Sequence, residues 1–198
     1  GQPDLITDDA NLANSQTLAK PQSLVYDTHS NLWIADTQND RIVMFEADPI
    51  TKEIVDTTAD FVLGQPDVNT IVKDQQVSEI TLNKPVAIAI DSNDNVYVVD
   101  AENNRVVMFE TPLATDAVAD VVIGQPDFTT KDVTALNAET LNHPSAVEVT
   151  MIKDPVTKQV VDEKVIIADE RNNRVLVYDQ DEIISAITTP APIAAEFV

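Results

Sequence analysis

"VIIADERNNRVLVYD" at residues 165–179 has two near-copies, "VYVVDAENNRVVMFE" at 96–110 and "LWIADTQNDRIVMFE" at 32–46. Each copy is an apolar run ending in Asp, a four-residue polar connector, and a second apolar run that opens with Arg. The runs are short and rich in Val, Ile and aromatic residues, which suits strands. The connectors "TQND", "AENN" and "ERNN" are rich in Asn and Asp, residues that tolerate left-handed backbone and hydrogen-bond to their own turn. A tight hairpin is therefore expected three times. Across each hairpin, Asp36 faces Arg41, Asp100 faces Arg105 and Asp169 faces Arg174.

These pairs use three of the chain's four arginines. A guanidinium fork bonds a carboxylate and carbonyls at once, and an ammonium does not. A catalytic pair is needed once, at a point where reacting groups converge. Threefold repetition points instead to a structural clamp in every unit.

The rest of the chain repeats in phase. "GQPD" stands at residues 1, 64 and 124, and those tetrapeptides hold all three glycines. A Leu-x-x-Pro follows each: "LAKP" at 18–21, "LNKP" at 82–85 and "LNHP" at 141–144. Another apolar run precedes each clamp hairpin ("SLVY", "VAIAI", "SAVEV"), and a fourth follows it ("DFVLG", "DVVIG", "EFV"). Several runs are apolar at successive positions, as in strands covered on both faces. Four short strands per unit, repeated, is the pattern of a β-propeller. The expected fold is all-β, with four-stranded antiparallel blades and three blades per chain. The units run 1–63, 64–123 and 124–198. In the third, Thr150 to Asp169 spans ten residues more than Asp27 to Asp36. With "DPVTK" at 154–158 as its turn, the insertion reads as an elongated hairpin near 150–168.

The succession of Pro, apolar strand, Asp, Asn-led strand, "AD", "NNR" and apolar strand resembles the NHL repeat, in the form with "VLGQPD" found in bacterial surface and secreted proteins. The family often has Gly before the second strand's Asn, where this chain has Ser30 and Asp94. The resemblance implies one blade per repeat, the first strand nearest the axis, and an extracellular or cell-envelope setting. Some relatives of this kind are metal-dependent lyases with histidines donated by several blades. This chain has only His29 and His143, short of the three or four ligands usual for zinc.

Composition narrows the function classes. No cysteine is present, so disulfides and thiolate sites are absent. No stretch approaches the ~20 apolar residues of a membrane span. The formal net charge of −22 repels polyanions, which sets nucleic acid aside. No cofactor is expected, with calcium the one candidate, at the oxygen-rich "DTHSN" (27–31) and "DSNDN" (91–95). No G-x-S-x-G, P-loop or H-E-x-x-H occurs.

Residues that break the repeat are the candidates for function. Lys20, Lys84 and His143 precede the repeat prolines and are placed to ring a channel mouth that draws anions. Glu148 stands where Val25 and Ala89 stand on the inner strand, placed to line the channel or meet Lys20 or Lys84 from another blade. Arg171, at a hairpin tip, is a candidate partner contact. Trp33, aligned with Tyr97 and Ile166, reads as packing between blades.

A three-blade arc leaves two sticky flanks, since propellers close with ~4–8 blades. The last residues match the start of an outer strand and the first match its end. Two arcs are therefore expected to close a six-bladed homodimeric ring. The expected function is a non-catalytic binding or assembly module that recognises a protein, peptide or carbohydrate through loops at one face. The alternatives are a metal-dependent lyase or hydrolase with its site on the channel, and an excised fragment with no activity of its own.

Overall fold

The computed structural model describes residues 14–113, 117–133, 135–191 and 193–197. Twelve strands form three sheets of four. β1 (Ser23–Tyr26), β2 (Leu32–Asp36), β3 (Arg41–Phe45) and β4 (Phe61–Leu63) make the first. β5 (Pro85–Ile90), β6 (Val96–Asp100), β7 (Arg105–Phe109) and β8 (Val121–Ile123) make the second. β9 (Pro144–Lys153), β10 (Val160–Asp169), β11 (Arg174–Asp179) and β12 (Glu196–Phe197) make the third. Every sheet is an antiparallel meander in chain order, the expected blade. The first "GQPD" and the final valine lie outside the described residues.

The sheets stack flank to flank. Trp33, Ala35, Ile42 and Met44 of the first meet Ile88, Val98, Val107 and Phe109 of the second. Tyr97, Val99, Val106 and Met108 of the second meet Val147, Val165, Ile167 and Tyr178 of the third. Strands in the middle of the stack are covered on both sides, so β6 and β7 are buried at every position. This is why their sequences run apolar without alternation. On the outward flank of the first sheet, Val43 and Phe45 of β3 are buried in a cluster with Ala59 and Val62, while the inner strand leaves Leu24 at 65% and Tyr26 at 57% exposure, and Val175 on the third sheet is 48% exposed.

Gly64 and Gly124 adopt φ of +89° and +91°. A Cβ on Gly124 would lie 2.4 Å from Leu141 Cγ, and one on Gly64 would lie 2.8 Å from Leu82. Among the described residues, the glycine of both "GQPD" motifs thus lies against the leucine of the next Leu-x-x-Pro. The two motifs recur together because they touch.

The inserted hairpin is present as the long β9–β10 pair, paired from Lys153–Val160 down to Pro144–Asp169. Its turn has an unforeseen twin. "DPITK" at 48–52 and "DPVTK" at 154–158 fold alike: Asp48 Oδ1 accepts from the amides of Ile50 and Thr51, and Asp154 Oδ1 from those of Val156 and Thr157. Both Lys52 and Lys158 have φ of 62°.

One element was not foreseen. α1 (Gln180–Thr188) fills the connection from β11 to β12. Asp179 caps it by accepting from Asp181 N–H at 2.9 Å, and Ile183 is buried in the core between the second and third sheets. The signal was in "DQDE", an Asp followed three residues on by Glu, which marks a helix start.

Candidate functional site

The clamp hairpins define one end of the stack. Each turn is a short 3-10 segment whose last residue is left-handed: Asp40, Asn104 and Asn173, at φ of 53°, 54° and 52°. In the second clamp, Arg105 Nε donates to Asp100 Oδ2 at 2.7 Å. Its Nη2 reaches the carbonyls of Ser78 and Thr81, and Nη1 that of Phe128. Asp100 also accepts from Asn83 N–H and Asn103 Nδ2. Burial pushes the Asp100 carboxyl up, and the Arg105 charge with these donors opposes the rise. The first clamp repeats the pattern, with Arg41 on Asp36, Val68, Asn14 and Thr17.

The third clamp is incomplete. Arg174 Nε meets Asp169 at 2.7 Å and Nη2 meets Thr140, but among the described residues no carbonyl meets Nη1. Arg174 is 18% exposed, whereas Arg41 and Arg105 are at 1% and 0%.

The left-handed turn residue also ties one sheet to the next. Asp40 Oδ1 accepts from Lys84 N–H at 2.9 Å, and Asn104 Oδ1 from His143 N–H at 2.7 Å. Lys20, Lys84 and His143 are themselves left-handed, at φ of 50° to 51°. Their equivalence is therefore one of backbone geometry as well as charge.

Around the supposed mouth the structure gathers Lys84, His143 and Arg171 near Glu102. Lys84 Nζ is 3.1 Å from Glu102, and His143 is 3.9 Å from Glu102 and 3.8 Å from Glu170. The Lys84 hydrogen bond holds the Glu102 carboxyl below its usual range, with His143 and Arg171 adding to the effect. The two glutamates were not singled out in the sequence, and they stand among the basic groups, Glu102 facing Lys84 and His143 and Glu170 facing His143. Lys20 is exposed on the first unit, and Glu148 is exposed on β9 opposite Ile166. Roughly 13 Å of strand separates Pro144 from Glu148 at ~3.3 Å per residue, so His143 and Glu148 of one chain do not share a site.

The opposite end carries the β1–β2 and β5–β6 turns. Asp27 Oδ1 accepts from the amides of His29 and Asn31, and its Oδ2 from Asn31 Nδ2 and Trp33 Nε1. Asp91 does the same for Asn93, Asn95 and Tyr97. Ser30 and Asp94 take φ of 76° and 64°, the conformation for which glycine is suited. Asp27, His29 and Asp94 bring three ligand atoms within 4.8 Å of one another. Asp94 accepts from Thr28 N–H and hydroxyl and lies 3.1 Å from His29. The group acts as a link between the first two units.

Three four-stranded antiparallel meanders stacked by their flanks define a β-propeller segment. Residues 82–109, the connection and three inner strands of the second sheet, match the sequence model of the NHL repeat. The chain is similar in fold to Kuenenia stuttgartiensis hydrazine synthase, at 13% identity and a TM-score of 0.50, over 84% of this chain and 34% of that one. A streptogramin B lyase structure superposes at 9% identity and a TM-score of 0.49, over 91% of this chain and 41% of that one. The chain thus spans about a third of the first structure's length and about two fifths of the second's. No curated protein sequence matches it.

Proposed function

We propose that the chain is a non-catalytic propeller module for binding and assembly, and that two copies close a six-bladed ring. The third clamp carries this reading. In the first two clamps, Nη1 is met by Val68 and Phe128, each the residue after a "GQPD". Leu5 holds that place in the remaining "GQPD". In the ring, the Asp169–Arg174 clamp of one copy lies at the seam with the other, where a partner carbonyl meets Nη1. Asn173 then stands to receive the Lys20 amide as Asp40 receives that of Lys84.

The open flanks support the same arrangement. Leu24, Tyr26, Leu32 and Ile34 of the first sheet occupy the places of Ile88, Ile90, Val96 and Val98, which pack in the first junction. Ile166, Ala168, Val175 and Val177 of the third occupy the places of Trp33, Ala35, Ile42 and Met44. Joining them buries the apolar area of Leu24, Tyr26 and Val175 that single chains leave in water.

Light scattering at low concentration tests it. The expected mass is twice the 21.6 kDa of one chain, and Tyr26→Asp returns it to one. A wild-type monomer that stays folded would sink ring closure.

A further inference from the structure

The two sheet junctions have the same plan but different fillings. In the second, Gln180 reaches from the third sheet and donates Nε2 to Asp91 Oδ2 at 2.6 Å, inside a buried network with Tyr97. In the first junction Asp27 and Trp33 hold the places of Asp91 and Tyr97, and Thr111 holds that of Gln180. The equivalence extends to the neighbouring cap: Asp94 accepts from Thr28 N–H as Glu163 accepts from Ser92 N–H. Thr111 is shorter than glutamine by the whole terminal carboxamide group. A cleft of about 500 Å³ opens there, walled by Asp27, Trp33, Glu46, Pro49, Thr111 and Leu113.

We infer that this cleft takes the cationic side chain of a basic peptide segment, with its guanidinium or ammonium placed on Asp27 Oδ2 where Gln180 sits on Asp91. Three observations carry the assignment. The internal counterpart shows that the carboxylate at this position accepts a further side-chain donor besides those of its own turn. The lining carboxylates Asp27, Glu46 and Asp94 outnumber the basic groups Lys52 and His29, the latter held 3.1 Å from Asp94, so a cation is favoured over a neutral amide. Pro49, Pro112 and Leu113 supply apolar walls for an aliphatic stem, the usual make-up of a site that orients a ligand by a few polar groups. The net charge of −22 draws basic partners towards the whole surface. The inference rests on the binding-module reading but not on ring closure, because both walls belong to one chain.

Trp33 is the only tryptophan, and its Nε1–H bonds to Asp27, so its indole resonance reports on the site. The test is an NMR titration of the whole chain with acetyl-Gly-Arg-Gly-amide, and with the Gln and Glu analogues. The Arg peptide is expected to shift the indole signal with a Kd of about 1 mM or tighter. The Gln analogue should bind at least threefold more weakly, and the Glu analogue not at all. Thr111→Gln, which installs the filling of the second junction, should weaken Arg binding at least tenfold. Glu46→Gln, an exposed change that leaves the turn bonds in place, should weaken it about threefold by the lost charge attraction. Equal binding of Arg and Gln peptides overturns the cation assignment, and an indole signal that none of them moves overturns the site. Either failure alongside a dimeric mass leaves ring closure standing.

Discussion

Arg105 Nε donates to Asp100 Oδ2 at 2.7 Å with neither side chain exposed to water, and the same guanidinium holds three carbonyls from the loops on either side. One side chain thereby fixes the hairpin, the Leu-x-x-Pro approach and the following "GQPD" segment together. The charge is tolerable in the interior because every donor direction but one is used.

Replacing Arg105 by Lys keeps the charge and loses the fork. The expected cost is about 3 kcal/mol, since charge-assisted bonds are lost and carbonyls are left unpaired in the interior. Arg174→Lys should cost a chain held monomeric clearly less, because that clamp has fewer bonds and more exposure. Urea unfolding of both variants in the Tyr26→Asp background measures the difference.

Gly124→Ala should destabilise by about 2–4 kcal/mol, combining overpacking with a left-handed backbone. The added carbon has nowhere to go, because Leu141 Cγ would be 2.4 Å away. Gly64→Ala, at 2.8 Å from Leu82, should cost less. Thermal unfolding ranks the two, and the reverse order would contradict the packing.

Gln180→Ala removes the 2.6 Å donor to Asp91 and should cost about 1–2 kcal/mol. Asp91→Ala should cost more, because it strips the acceptor from Asn93 N–H, Asn95 N–H, Asn95 Nδ2 and Gln180 at once. Hydrogen exchange should quicken at the Asn95 amide in Asp91→Ala and stay slow in Gln180→Ala.

Four turn aspartates give the stability a pH dependence. The Thr51 and Thr157 amides hold Asp48 and Asp154 below the ordinary value of 3.8, and the Thr70 and Thr129 hydroxyls do so for Asp67 and Asp127. Their folded pKa values lie below the unfolded one, so the unfolded chain takes up more protons between the two. The stabilisation is complete above about pH 4 and is lost as pH falls through the folded values. Between pH 5 and pH 3 the wild type should lose more Tm than the variant with all four changed to Asn, measured by circular dichroism.

The sheets and clamp turns were legible in the sequence because their causes are local. β-branched runs, a turn of Asn and Asp, and the Asp–Arg pair five residues apart act within a single hairpin and recur three times. The left-handed positions at Ser30, Asp40 and Asn104 could be anticipated for the same reason. α1 carried a capping signal, but it interrupts the repeat and so was masked by it. The pairing of Lys84 with Glu102 escaped notice because its partners stand eighteen residues apart across a whole hairpin of one unit, and the filling of the second junction by Gln180 because it joins residues of different units.

The sequence by itself determined the number of sheets, their strand order and the register of each clamp, since these follow from short-range patterns read three times. Only the tertiary structure decided which junction is filled and which is open, and which guanidinium lacks a carbonyl. Those outcomes depend on how long a side chain is at the point where two sheets meet, and stacking alone brings such residues within hydrogen-bonding distance.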